Sequence, residues 1–506
     1  MSGPLLDPRT APAFPEAVHN LLRDAQLRKN LHHATSVIQN KRARVVAELS
    51  DWEELRLAGQ RIREHTMAHL DAYLEQFEEN CTRAGGIVHW ARDAEEARQI
   101  VVRLAKEAIA AEQHTGPSAA EILKIKSMTT EEIGLNGALE AAGIRPYETD
   151  LAELIIQLGH DKPSHIVVPA LHKNRQQIHE IFQREMHLPN LGNTPEDLAD
   201  AARLFLREKF LRVPTAVSGA NFLIAETGGV CIVESEGNGR MCLTLPRTLI
   251  TVAGIDKVIP RFRDLEIFLQ LLPRSATGER MNPYNSIWTG VYENDGPRTF
   301  HVVLMDNART SVLADREGRQ TLNCIRCGAC QNICPVYRET GGHAYGSVYA
   351  GPIGAILTPQ LQQMNYARSL PFASSLCGAC YEVCPVRINI PEVLVHLRHR
   401  VVERETQGLG AFRPEPLAMK AMSRVFQSES RFRAAQRFAR TADRPLARKD
   451  SDGKAWIHWL PGILGGWTQS RDLAALPSQT FREWWEERNR APKAQAIGPQ
   501  GGPHGG

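Results

Sequence analysis

The chain has 506 residues, 42% hydrophobic and 23% charged. That excludes a disordered chain and exceeds what one ordinary core uses, so two or three domains are expected. A net charge of only +3 gives no general reason to expect a nucleic-acid partner.

No apolar run approaches the ~20 residues of a membrane helix. The opening MSGPLLDPRTAPAFPEAV also lacks the basic-then-apolar order of a secretory signal. A cytoplasmic protein without a transmembrane segment is expected, and peripheral membrane contact through a partner stays open.

Residues 1–80 read as a helical N-terminal extension. Apolar residues recur three or four apart in AVHNLLRDAQLRKNL and HTMAHLDAYLEQFEEN, the period of an amphipathic helix. Asp51 in DWEEL offers an N-cap followed by acids in the first turn.

Residues 81–308 alternate between short β-like runs and helices. GIVHWA precedes DAEEARQIVVRLAKEAI, EILKIKS precedes TTEEIGLNGALEAAG, and SHIVVPA precedes HKNRQQIHEIFQREM. Such alternation predicts an α/β domain with a largely parallel sheet. A strand-rich stretch follows, NFLIAETGGVCIVESEGNGRMCLTLPRTLITVAGIDKVIP, with AETGG and GNG read as tight turns, and RTFHVVLMDNAR adds a last strand. Neither G-x-G-x-x-G in a strand–turn–helix setting nor a P-loop is present.

The polar residues that stand out in this domain are Lys126, Ser127, Thr130, Glu131 and Glu132, then His165, His172 and Lys173, then Glu226, Thr227, Glu234, Glu236 and Asn238. Lys126-Ser127 lies where a strand should end and a helix begin, the ligand-facing edge of an open α/β sheet. Singly each residue is as well explained by a cap, a turn or the surface. Together they predict a pocket at that edge, with Lys126, Glu226 and Glu236 as acid–base candidates. Cys81, Cys231 and Cys242 lack ligand spacing and read as buried thiols.

Residues 309–400 hold seven of the ten cysteines. Cys324, Cys327, Cys330 and Cys334, followed by Pro335, have the C-x2-C-x2-C-x3-C-P spacing of a [4Fe–4S] ferredoxin motif, whose fourth cysteine serves the other cluster in two-cluster ferredoxins. The second run ends at Cys384-Pro385, with Cys380 and Cys377 before it and Ser374 in the first slot. Two clusters are therefore expected. Cys324, Cys327, Cys330 and Cys384 would bind cluster one, and Cys334, Cys377 and Cys380 cluster two. The remaining iron of cluster two could take Ser374 Oγ, bind water, or be absent in a [3Fe–4S] form. Paired CxxC spacings also suit zinc, but zinc does not explain the x2-x2-x3 run or the two prolines. Nothing marks the chain for disulfides.

Between the runs, LTPQLQQMNYARSL predicts a helix with Pro359 in its first turn. After them, INIPEVLVHLRHRVVERET predicts a helix opening at Pro391, so the cluster unit reads as helical. Residues 401–490 read as helical. The block 391–450 carries thirteen Lys/Arg against seven Asp/Glu, which as a default is a solvated helical face. Trp456, Trp459, Trp467, Phe481, Trp484 and Trp485 follow in polar surroundings. The Gly/Pro-rich end, 491–506, is expected to be disordered.

Taken together, KSMTTEEIGLN, PSHIVVPALHKN, ANFLIAETGGVCIVESEGNGR, CIRCGACQNICPVYRETGGHAYG, LCGACYEVCPV and GGWTQSRDLAALPSQTFREWW resemble the lactate utilisation protein B family, from about residue 20 to 490. The cysteine motifs alone are generic, and their combination with the ETGG-bearing domain is specific. The resemblance implies a Rossmann-like LUD domain with a parallel-rich sheet, then a helical two-cluster ferredoxin domain and a helical C-terminal region. It further implies an iron–sulfur subunit that carries electrons during oxidation of L-lactate to pyruvate, alongside two partner subunits and an electron acceptor. Such an oxidation removes two electrons, whereas clusters pass one at a time, and no flavin or nicotinamide signature bridges that mismatch here. Catalysis in the LUD pocket with the clusters as redox outlet, or a redox sensor or scaffold, are the competing expectations.

Overall fold

The computed structural model describes residues 7–112, 120–468 and 471–490. The chain forms two compact units, Met1–Val402 and Glu403–Gly506. The tail expected to be disordered, 491–506, lies outside the described residues.

The first unit opens with four helices, α1 (Phe14–Leu21), α2 (Ala25–Ala47), α3 (Trp52–Ala68) and α4 (Leu70–Arg83). Asp24 caps α2 by accepting from the Leu27 N–H. Asp51 stands at the N-cap of α3, but its side chain makes no capping bond. The buried stripe of α3 runs through Trp52, Leu55, Arg56, Gly59, Arg63, Thr66 and Met67, so the helical period holds while two arginines ride on the buried face. Gly59 lets α3 approach the helix Asp264–Ala276, because a Cβ there would meet Leu271 Cδ1 at 2.7 Å.

Ten strands follow: β1 (Ile87–Ala91), β2 (Glu121–Lys124), β3 (Arg145–Glu148), β4 (Thr215–Ser218), β5 (Phe222–Ile224), β6 (Gly229–Glu234), β7 (Thr248–Gly254), β8 (Val258–Ile259), β9 (Tyr284–Trp288) and β10 (Thr299–Met305). Six of them make one sheet in the order β1-β10-β7-β4-β2-β3. Every pairing in it is parallel, with Leu123 opposite Ala216 and Val217 opposite Ile250. Its central strands are buried on both faces, β4 along its whole length, as short apolar runs in a covered parallel sheet should be. The Rossmann-like expectation holds.

The stretch from Phe222 contributes a second sheet, β8-β5-β6-β9. The AETGG turn joins β5 to β6 through Gly228, at φ 66°, where a Cβ would stand 2.1 Å from Cys81 N. The GNG segment is not a second hairpin turn, because Gly237 instead heads a helix, Asn238–Thr244.

SHIVVPA forms no strand. Pro163 and Pro169 bracket it and remove ladder donors. The Ser164 N–H turns back to Pro169 O at 3.0 Å. His165 Nδ1 accepts from both the Val167 and Val168 N–H groups at 3.0 Å, so a side chain takes the bonds a neighbouring strand would have taken.

The cysteine-bearing segment is built of short helices, as expected. The helix between the runs spans Gly351–Leu361, with Pro352 in its first turn and Pro359 inside it. The helix expected over LTPQLQQMNYARSL therefore starts six residues before Leu357 and stops at Leu361, and a separate short helix, Met364–Ala367, follows. Ile390–Glu405 forms a helix as predicted.

The second unit contains the helices Pro414–Phe426, Glu429–Asp443 and Phe481–Arg490. It also has a small antiparallel sheet of Arg448–Lys449, Ala455–Ile457 and Leu473–Ala474 that a purely helical reading misses. Phe481, Trp484 and Trp485 are exposed and cluster with one another, at ring separations of 5.5 to 6.1 Å. No described helix is long and apolar enough to cross a membrane.

Candidate iron–sulfur centre and the adjoining pocket

The two cysteine runs fold alike. Arg326 and Gly328 flank Cys327 in left-handed backbone (φ 61° and 74°), and Leu376 and Gly378 flank Cys377 in the same way (φ 56° and 84°). Holding a non-glycine residue there costs on the order of 1–3 kcal/mol, so the repetition marks a shape that both runs must keep. Each run then enters a short helix, Ala329–Ile333 or Ala379–Val383, and the two helices pack on each other.

The Arg326 N–H donates to Cys324 Sγ at 3.4 Å. The Leu376 N–H donates to Ser374 Oγ at 3.1 Å. Ser374 therefore occupies the Cys324 position of the second run, with an oxygen in place of sulfur. Both Cys-Pro turns also aim a later N–H back at the sulfur, Tyr337 to Cys334 at 3.5 Å and Ile388 to Cys384 at 3.4 Å.

Burial and mutual repulsion among the thiols act within and across the two runs. Burial, then Cys384 and Cys324, push Cys327 up. Burial, then Cys324, Cys327, Cys380 and Cys384, do the same to Cys330. Cys384 is raised to about 11 by burial, with Cys324 adding to it and the Ile388 N–H opposing. Burial raises Cys334, with Cys377 adding to it and the Tyr337 and Val336 N–H groups opposing. Burial, then Cys334 and Cys377, with Cys384 adding to it, raise Cys380 to about 12. Cys377 alone among the seven is exposed.

Thiolates so crowded would repel one another in a dry cavity. Bound iron reverses that balance, and the backbone N–H groups aimed at sulfur are the outer contacts such clusters use. The donor set fits an iron–sulfur group. Cys81, Cys231 and Cys242 lie apart as buried thiols, each raised to about 12, chiefly by burial.

Helices α2 and α3 supply what sequence reasoning missed. Arg42 Nη2 donates to Val383 O at 3.2 Å, and Arg56 donates to Cys384 O at 3.0 Å and Tyr381 O at 3.2 Å. Arg63, fully buried, donates to Val258 O at 2.9 Å, to Leu322 O at 2.8 Å and to Asp256 O. Three guanidinium groups thus tie the N-terminal helices to the carbonyls around the cysteine loops. A signal was available, since Arg56 and Arg63 share the periodic stripe of Trp52 and Gly59.

Beside the first cysteine run lies a pocket of about 350 Å³, at the low end of the usual range for small-ligand sites. It sits at the carboxyl edge of the parallel sheet, lined by Lys126 and Ser127 after β2, Asp150 after β3, Gly219 after β4 and Lys257 after β7. The chain leaves β2 for β3 on one side and returns to β4 on the other, so this is the switch point at which open α/β sheets bind ligands. The Ile166–Val168 loop forms one wall, and Arg326, between Cys324 and Cys327, forms another. The same loop packs on the cysteine run: His165 Nε2 meets Asn332 Oδ1 at 3.0 Å, and Gln331 Oε1 accepts from the Ile166 N–H at 3.3 Å. Pocket and thiols share a wall.

Lys126 and Glu236 line this pocket. Lys126 Nζ donates to Val167 O at 2.5 Å. Glu236 is raised to about 7 by burial and then by Asp150, while accepting from the Leu151 N–H at 2.9 Å. Glu226 is elsewhere, in a separate cavity with Arg61, His65 and Arg261, and accepts from the Phe262 N–H at 2.7 Å. The three acid–base candidates are therefore not brought together.

Glu131 and Glu132 belong to buried ion networks. Lys124 bridges Glu131 at 2.7 Å and Glu148 at 2.6 Å. Arg309 bridges Glu132 at 2.9 Å and Asp256 at 2.6 Å, and Arg326 joins Asp256 at 3.3 Å. His172 contacts Ser164 Oγ at 2.8 Å and Asp161 at 3.1 Å, and Lys173 pairs with the same Asp161, outside the pocket.

Comparison with known proteins agrees with this layout. Residues 74–305 match the LUD domain, 320–388 the 4Fe-4S dicluster domain, and 396–490 the lactate utilisation protein B C-terminal region. The lactate utilization protein B of Bacillus licheniformis is 42% identical over 94% of this chain and 97% of its own. That of Geobacillus kaustophilus is 44% identical over 89% of this chain and 91% of its own. That of Bacillus subtilis is 41% identical over 96% and 98%. The chain belongs to the lactate utilisation protein B family.

Proposed function

We propose that this chain is the iron–sulfur electron-transfer subunit of a multi-component system that oxidises L-lactate to pyruvate. The observation that carries the reading is that the two cysteine runs fold alike, on short helices packed against each other, with backbone N–H groups aimed at Cys324, Cys334 and Cys384. Cys324, Cys327, Cys330 and Cys384 would hold one [4Fe–4S] cluster. Cys334, Cys377 and Cys380 would hold the other, with Ser374 Oγ at its fourth corner. Bound clusters supply one-electron transfer. The chain's own part is to hold them with thiolates, aim N–H groups at sulfur, and surround the first site with Arg42, Arg56 and Arg326.

The test is anaerobic purification with iron, sulfide and EPR analysis, followed by mixing with the partner subunits and L-lactate. Lactate-dependent reduction of the visible chromophore is expected only with the partners present. Pyruvate formation by the mixture with this chain's chromophore unreduced would overturn the reading. A second reading, catalysis within this chain, draws support from the shared wall at Arg326, and purified protein alone reducing a dye with lactate would favour it.

Two variants sharpen the assignment. Ser374→Cys is expected to complete a four-thiolate second site and raise retained iron, whereas Ser374→Ala lowers it or shifts the EPR signal of that site only. No change in either variant would remove Ser374 from the ligand set. Arg42→Met takes a cation from beside Cys327 and Cys384. Less cationic surroundings disfavour the reduced form, so the potential of the first site should fall by about 40 mV, the equivalent of about 1 kcal/mol, in a redox titration.

A further inference from the structure

The two cysteine sites differ in how far they open to solvent. Cys327, Cys330 and Cys384 are buried and Cys324 is half-buried. Arg326, between Cys324 and Cys327, turns inward onto Asp256 at 3.3 Å. The matching position of the second run holds Leu376, which is 39% exposed, and Cys377 after it is exposed as well. Phe372, just ahead of Ser374, is 49% exposed. The fold encloses one site and presents an apolar spot to water at the other.

The rim of that spot is cationic. Arg398 Nε donates to Pro371 O at 2.8 Å and its Nη2 to Ser374 O at 3.0 Å, and the guanidinium stands 5.3 Å from the centre of the Phe372 ring. Arg338, in the helix that Cys334 opens, donates to Thr35 Oγ1 at 3.1 Å and Ser36 Oγ at 2.8 Å on α2. Both guanidinium groups meet only neutral oxygens, and neither has an ion pair among the described residues. Helix α2 itself, AQLRKNLHHATSVIQNKRARVVA, has five Lys/Arg and no Asp/Glu. On the acidic side stand Glu382, exposed between Cys380 and Cys384, and Glu339, already held by Arg28 and His32 at 2.6 and 2.8 Å. Positive charge prevails around the second site.

We infer that the face around Phe372, Leu376 and Cys377 is the docking site of an acidic one-electron carrier protein that takes electrons from the second site. This rests on the electron-transfer reading above and gives that reading its exit. A small apolar centre inside a charged rim is the make-up of a transient interface. The cationic rim selects a carrier with carboxylates around its own redox centre, since complementary charge steers the encounter and like charge rejects it. One electron crosses at each encounter. The carrier is reduced as the second site is oxidised, and no proton or bond changes hands at the face. The first site has no exposed thiol and shares its wall with the pocket, so it faces the way in.

Stopped-flow mixing of the anaerobic, cluster-loaded, full-length protein tests the inference. The protein is reduced chemically, so neither lactate nor a partner subunit enters. The acceptors are an acidic haem protein, cytochrome b5, and a basic one, cytochrome c. Reduction of cytochrome b5 is expected to slow at least about tenfold between about 0.01 and 0.5 M salt, as screening removes the steering. Reduction of cytochrome c should not slow. Fluorescence anisotropy of labelled, oxidised cytochrome b5 reads binding without electron transfer. Phe372→Glu should weaken that binding at least about tenfold and slow reduction in parallel, with bound iron and both EPR signals unchanged. Leu211→Glu, also at an exposed apolar residue but on the helix Pro195–Arg212, should change neither.

A cytochrome b5 rate insensitive to salt, the same falling salt dependence for both carriers, or unchanged binding in Phe372→Glu would each overturn the inference. So would a loss in Leu211→Glu as large as that in Phe372→Glu. Self-association that Phe372→Glu abolishes in sedimentation would assign the face to a second copy of the chain and overturn it too. If Phe372→Glu loses iron, the salt dependence of the unaltered protein decides alone. The two readings fail separately. A failed lactate reaction leaves the docking result standing, and a failed docking result leaves partner-dependent reduction by lactate standing.

Discussion

Replacing Arg309 by methionine is expected to destabilise the first unit by about 3–5 kcal/mol, the cost of breaking a buried ion pair from one side. Its guanidinium is 1% exposed and meets Glu132 at 2.9 and 3.0 Å and Asp256 at 2.6 Å. Tyr349 and Asn307 also donate to Glu132, each at 2.6 Å, but neither carries charge, so the variant leaves two buried carboxylates without their shared cation.

The pH dependence follows from the sign of the shifts. Burial pushes the Glu132 and Asp256 carboxyls up, and Arg309, helped by Tyr349 and Asn307 at Glu132 and by Arg326, Lys257 and Arg63 at Asp256, more than offsets it, holding both below the usual carboxylate range. Stability from depressed carboxyls is present above their unfolded values near 4 and is lost as pH falls. In the variant the carboxyls can take up protons instead, so the deficit should be largest at neutral pH and shrink toward pH 5. Urea unfolding followed by circular dichroism at pH 7.5 and pH 5 measures it, and an equal deficit at both would refute a charge origin. Glu132→Gln added to Arg309→Met should cost less than the two separately, as for any pair in one network.

Removal of single cysteines should sort the seven into a four and a three. Cys384→Ala and Cys327→Ala are expected to abolish the same EPR signal and to lower bound iron by about half, since one of two clusters is lost. Cys334→Ala and Cys377→Ala should share the other signal. If the runs did not exchange ligands, Cys334→Ala would instead act with Cys327→Ala. The pattern of shared signals, rather than the amount of iron, decides between the two arrangements.

The cysteine spacing, the parallel sheet and the pocket edge at Lys126-Ser127 were all legible in the sequence, because each depends on short-range order: ligand offsets, apolar runs and a strand-to-helix change. What escaped depends on contacts between distant segments. SHIVVPA has strand composition, but its prolines and the His165 ring turn it into the wall between the pocket and the thiols. Glu226 looks like a site residue beside ETGG, yet that turn points it into a different cavity. Lys257, Asn238 and Arg326 carry no local motif and become noticeable only when three separate loops bring them to one cavity. Arg56 and Arg63 carry no signal beyond the periodic stripe itself, since periodicity reports which face is buried but not what it is buried against.

The arginine ties of α2 and α3 also bear on how the molecule is made. Arg56 leaves the ribosome 328 residues before Cys384, whose carbonyl it binds, and Arg63 leaves 259 residues before Leu322. At 5–20 residues per second the first interval is roughly 15–65 s. Through that time Arg56 has only Glu53 of its own helix to pair with, so α3 makes its contacts with the second cysteine run after that run has emerged. The bonds from Arg56 to Cys384 O and Tyr381 O therefore form only once the last Cys-Pro turn has emerged, among the final contacts of the first unit to be made.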